Sequence, residues 1–106
     1  FIFMNNDSAT TLNVSNLATT GENFQIGGND LLEAFDASAL TTVSNFYINS
    51  NPVLAAFTLT AMAEVVGDFT VTNNLALPQT DSDNLIAQIQ AADGIGGITT
   101  TSGNLE

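Results

Sequence analysis

The sequence has no lysine, arginine or histidine against eleven aspartates and glutamates, giving a formal net charge of −11 over 106 residues. An ordinary chain is about 25% charged, with roughly half of that basic, so the absence is no accident of sampling. It excludes side-chain clamps for phosphate and contacts to a nucleic-acid backbone, and it removes attraction to anionic lipid surfaces. Every imidazole metal ligand is gone, as is every ordinary general base except carboxylate. Side-chain salt bridges are impossible, so the acids must be solvated, capped or bound to cations. Two explanations stay open: a secreted, protease-resistant surface without trypsin-type sites, or adaptation to high salt or divalent ions.

Cysteine is absent too, which excludes disulfides and thiolate sites. No apolar run approaches the ~20 residues that span a bilayer. Phe1–Met4 is too short for an intact signal peptide and lacks its basic flank. What is present is 44% hydrophobic residues, enough for a modest core in one domain despite the charge.

The apolar residues repeat. Segments beginning at Phe1, Phe24, Phe46 and Phe69 echo one another in steps of 23, 22 and 23. A period of this size marks a repeat architecture. Two residues after each start stand Phe3, Ile26, Ile48 and Val71, and five after stand Asn6, Asn29, Asn51 and Asn74. Further columns read Ala9, Leu32, Leu54, Leu77; Leu12, Phe35, Phe57, Thr80; Val14, Ala37, Leu59, Ser82; and Leu17, Leu40, Met62, Leu85. Inward side chains that stack on the coils above and below bury a continuous core. Apolar residues two apart (Phe46/Ile48, Phe57/Leu59) give strand periodicity. The spacing therefore predicts a right-handed parallel β-solenoid of four to five coils of 22–23 residues, a single domain over 1–106. The Asn column falls at a corner. There it either forms a structural ladder that satisfies stranded backbone groups or merely tolerates a left-handed turn.

Val43-x-x-Phe46-x-Ile48-x-x-Asn51-x-Val53 fits the leucine-rich-repeat pattern with other apolar residues in place of leucine. The lead-ins Thr42-Val43-Ser44 and Val65-Val66-Gly67, and the run Asn49–Leu54, look like the receptor L-domain branch of that class. The closing stretch, Asn74–Pro78, a short helix, then Gly96–Asn104, is similar to endings in bacterial surface and secreted members. The resemblance covers nearly the whole chain and implies an extracellular or cell-surface location. It departs from the family pattern in two ways: the clasping cysteines are missing, and the first coil starts inside a repeat with no cap.

In the fourth coil, Thr80 and Ser82 interrupt the second apolar face. Ser82 or Asp81 reads as a helix cap, and Leu85, Ile86, Ile89 and Ala92 recur at helical spacing. A closing helix is expected over 82–93, with Gly94 as its stop. A last strand at Ile98–Thr101 should lie beside Phe69–Thr72, and Ser102–Glu106 should be frayed.

No Ser/His/Asp or Cys/His set can exist, and the carboxylate pairs Glu33/Asp36 and Asp81/Asp83 lie in corners or a helix start. The expectation is no enzyme and no cofactor. Ca2+ is the one cation the acids suggest, at Asp81–Asn84 or at the corners holding Asp7 and Asn29-Asp30, but the glycine and distal glutamate of a calcium loop are missing. Binding is the better prospect. The outward row of the first sheet should read Ile2/Met4, Gln25/Gly27, Tyr47/Asn49, Thr70/Thr72 and then Thr99/Thr101. The binding candidates are Tyr47, Asn49, Gln25, Thr70 and Thr72. Exposed tyrosine is a common interface anchor, although an ordinary polar sheet face would read the same. The apolar edge Phe1, Ile2, Phe3 and Met4 is the candidate for self-association, because bare strand edges pair. The leading functional expectation is a structural module that joins end to end as a fibre or surface-layer subunit. The second is a receptor or adhesin domain for protein or carbohydrate, and the third is ice binding. Partners expected are a second copy, another surface protein or a carbohydrate, with no nucleic acid and no membrane insertion.

Overall fold

The computed structural model describes residues 1–106. In chain order the elements are β1 (Ile2–Met4), β2 (Thr11–Asn13), β3 (Phe24–Gly27), β4 (Ala34–Asp36), β5 (Thr42–Val43), β6 (Phe46–Asn49), β7 (Ala56–Thr58), β8 (Glu64–Val65), β9 (Phe69–Thr72), α1 (Gln79–Gln90), β10 (Gly94–Ile95) and β11 (Thr99–Ser102). They stack into three parallel sheets, β1-β3-β6-β9-β11, β2-β4-β7 and β5-β8-β10. The fold is a parallel β-solenoid.

The period-2 pattern places one side of each strand inward, and stacking then brings equivalent residues together. Phe24, Phe46 and Phe69 are register partners, as are Ile26, Ile48 and Val71. Leu12, Phe35 and Phe57 follow one another in the second sheet. Ring centroids in the first column lie 5.4, 5.7 and 4.9 Å apart from Phe1 to Phe69. Each interior ring is thus stacked on both faces, which adds about 0.5–1.5 kcal/mol per pair to the burial itself. Eighteen buried apolar residues form one core cluster.

The coil count is slightly lower than expected. The first turn contributes β1 and β2, the second and third carry strands on all three faces, the fourth passes through α1, and the fifth contributes β11 alone. The left-handed backbone at the first corner belongs to the residue before each ladder asparagine: Asn5, Gly28, Ser50, Asn73 and Gly103, with φ between 54° and 68°. The ladder asparagines are therefore free of that role.

The helix begins three residues earlier than expected. Pro78 (φ −57°, ψ 132°) occupies the N-cap position with no side-chain cap. Proline presets the turn into a helix and has no N–H to satisfy, and the Gln79 N–H is taken by the Leu105 carbonyl. Neither Asp81 nor Ser82 caps. Asp81 lies in the first turn, and Ser82 points inward, fully buried. The helix stops at Gln90 because the chain must return to the third sheet, where β10 pairs with β8. The tail is not frayed: the Leu105 N–H donates to the Leu77 carbonyl at 2.8 Å.

Candidate functional site

The four predicted asparagines stand in one column, with Asn104 as a fifth. In each rung the backbone N–H and the Nδ2 donate to Oδ1 of the asparagine in the next coil. These distances are 3.0 and 3.2 Å for Asn6 to Asn29, 3.2 and 3.1 Å for Asn29 to Asn51, 3.2 and 3.0 Å for Asn51 to Asn74, and 3.3 and 3.2 Å for Asn74 to Asn104. Nδ2 also reaches back to the first-sheet carbonyls of Phe3, Ile26, Ile48 and Val71 from Asn29, Asn51, Asn74 and Asn104. Asn29, Asn51 and Asn74 are completely buried. The column ends on Gln79, whose Oε1 accepts from Asn104 Nδ2 at 3.1 Å. The ladder is structural and leaves no group free for chemistry.

A second polar column escaped the sequence reading. Asn45 Nδ2 donates to Asn23 Oδ1, the Asp68 N–H to Asn45 Oδ1, and the Ile98 N–H to Asp68 Oδ1. Its signal was present: Asn23, Asn45 and Asp68 each immediately precede the phenylalanine that opens a repeat.

The outward face of the first sheet carries two rows. One aligns Ile2, Gln25, Tyr47, Thr70 and Thr100; the other aligns Met4, Gly27, Asn49, Thr72 and Ser102. The five binding candidates Gln25, Tyr47, Asn49, Thr70 and Thr72 are thus neighbours on one surface. The last pair was expected as Thr99/Thr101, but those residues align with the inward positions Phe69 and Val71. The fourth coil is longer than the others because it contains the helix, and this moves the register by one residue. With no Cβ on Gly27, the Asn49 amide lies across its backbone; a Cβ there would sit 2.9 Å from Asn49 Oδ1. That Oδ1 is buried without a hydrogen-bond partner. Tyr47 is half-buried between Gln25 and Thr70. None of the eleven acids lies in any of these five strands, so the face is neutral on a strongly anionic protein.

The apolar edge residues Phe1 and Phe3 are half-buried, while Ile2 and Met4 are 66% and 37% exposed. Among the carboxylates, Asp36 accepts from the Ser38 N–H and Asp83 from Gln79 Nε2. Glu33, Asp7 and Asp30 are exposed at corners. No three acidic side chains converge as a metal cluster; Asp7 and Asp30 follow the paired Asn6 and Asn29 at equivalent corners of adjacent coils. Comparison with protein-family models, with curated proteins and with solved structures returns no match.

Proposed function

We propose that the chain is a non-enzymatic recognition module of the cell exterior, with leucine-rich-repeat or receptor L-domain character, whose first-sheet face binds a neutral ligand, carbohydrate before protein. One observation carries this reading: the five-stranded face holding Tyr47 has no ionisable acid although the chain has eleven. A tyrosine ring offers an apolar surface to the C–H face of a sugar, and the flanking Gln25, Asn49 and Thr70 supply donors and acceptors for hydroxyls. The extracellular placement rests on the resemblance and on a surface without basic cleavage sites.

Tyr47 is the sole tyrosine and the chain has no tryptophan, so intrinsic tyrosine emission reports this face alone. Glycan-array hits should perturb that emission on titration, and Tyr47→Ala should abolish binding while the chain still unfolds in a cooperative transition, its stability lowered by no more than about 1 kcal/mol of lost strand packing. Binding that survives Tyr47→Ala refutes the assignment.

Self-association is a second reading, favoured by the half-buried Phe1, Phe3, Leu12, Val14 and Leu17 of the first coil. The opposite end carries polar Thr99 and Thr101 in the inward columns and is closed by Gln79. Unlike ends of this kind favour a closed pair of first coils over a filament. Light scattering across a concentration series decides it: a mass that stays monomeric removes this reading. Threonine rows span β9 and β11 only, which weighs against ice binding.

A further inference from the structure

The first and third sheets each continue through the fourth coil, with β9 and β10, but the second sheet stops at β7. In its place stands α1, which packs on β8 and β10. The helix is pinned near its end by Gln88, whose Nε2 donates to the Leu59 and Met62 carbonyls at 2.9 Å each. Between β7 and α1 this leaves an open cleft of about 330 Å³, lined by Phe57, Thr58, Leu59, Asp81, Asn84 and Gln88 among others. Its floor is half-formed: the Phe57 ring packs on Phe35 at 5.7 Å, tilted by 34°, and no other aromatic ring packs against it. Unlike the fully enclosed rings of Phe24, Phe46 and Phe69, Phe57 is only half-buried.

We propose that this cleft binds an extended cationic peptide, which adds to the free edge of β7 as a fourth strand of the second sheet. A last strand offers a row of backbone donors and acceptors on its unpaired side, and strand addition beside a helix uses them for affinity. A residue of the incoming strand aligned with Phe57 places an apolar side chain on the open face of that ring. Asp81, half-buried on the helix wall, meets no basic side chain of this protein, because the sequence contains none. A lysine or arginine of the peptide meets it. For the same reason a second copy of the chain cannot be the occupant, since it has no basic side chain to offer. The cleft lies between two internal elements and away from the neutral Tyr47 face.

The test is a two-dimensional amide NMR titration of the labelled chain with an acetylated, amidated heptapeptide that alternates valine with lysine and threonine. Shifts should concentrate on Phe57–Thr60 and Asp81–Gln88. Asp81→Asn should weaken binding by about tenfold, the effect of removing one partner of a partly buried pair. Methylation of alternate peptide nitrogens, which keeps the charge and side chains but removes the ladder donors, should abolish the shifts. Four results overturn the proposal: no shifts at millimolar peptide, shifts spread over the acidic surface, equal binding by the methylated peptide, or equal affinity of the Asp81→Asn variant.

Discussion

Replacing Asn51 by alanine removes the centre of the asparagine column. The Asn51 side chain makes five hydrogen bonds: its Oδ1 accepts from the Asn29 N–H and Nδ2, and its Nδ2 donates to Ile26 O, Asn49 O and Asn74 Oδ1. Not all of the partners are stranded by its loss. Asn49 O keeps the Gly28 N–H, Asn29 Nδ2 keeps Phe3 O, and the backbone N–H of residue 51 still reaches Asn74 Oδ1. The Asn29 N–H, fully buried, loses its acceptor. An orphaned buried donor costs about 1–3 kcal/mol, and the other four bonds, whose partners keep alternatives, add roughly 0.5 kcal/mol each. The total expected is ~3–5 kcal/mol, a large part of the 5–15 kcal/mol typical of a domain. Asn6→Ala is the internal control. Its Nδ2 makes two bonds, to Met4 O and Asn29 Oδ1, and its backbone N–H continues to donate to Asn29 Oδ1, so the cost should stay below ~1 kcal/mol. Urea denaturation separates the two variants: with a slope of about 1–3 kcal/mol per molar, Asn51→Ala should lower the midpoint by roughly 2 M. Equal midpoints for the two variants would show that the column does not hold the coils together.

The same site predicts a pH effect. In Asn51→Asp the second carboxylate oxygen faces three acceptors, so the fold favours the protonated acid and its pKa rises. A group with a raised folded pKa supplies stability at low pH and loses it as pH climbs through the carboxylate range, which pH-dependent urea melts will register. Ser82→Ala should stabilise the chain by about 1 kcal/mol, because the Ser82 hydroxyl is buried with no partner and its removal relieves an unmet hydrogen bond; a loss of stability in a thermal melt contradicts this. Phe46→Ala should cost about 3–5 kcal/mol, more than Phe57→Ala, since Phe46 is stacked at 5.7 and 4.9 Å on its two sides. Raising sodium chloride from low to physiological concentration should raise the melting temperature, because a net charge of −11 with no side-chain cation leaves only repulsion to screen.

The solenoid was legible because the first three intervals are nearly equal, so that Phe24, Phe46 and Phe69 could be superposed by counting. The last interval is not. From Phe69 to its partner Thr99 the chain takes 30 residues, since α1 and its turns must be accommodated. Counting 29 placed Thr99 and Thr101 outward and hid Asn104 from the column. The helix start was missed because Asp81 and Ser82 look like caps locally, whereas Pro78 serves through its fixed φ and the Leu105 carbonyl arrives from another coil. Of the candidate face, Gln25, Tyr47, Asn49, Thr70 and Thr72 followed directly from the register. The β7–α1 cleft did not, because it depends on the way a helix leans, which no periodicity in the sequence encodes.

Stacked coils also set how the molecule yields to force. Each rung is fastened to its neighbours by contacts parallel to the stack, so tension applied at the two ends peels rungs in succession and does not shear a whole sheet. A coil of 22–23 residues releases about 75 Å of contour as it detaches, at roughly 3.3 Å per residue. Such a chain extends in a few discrete increments, each the length of one coil.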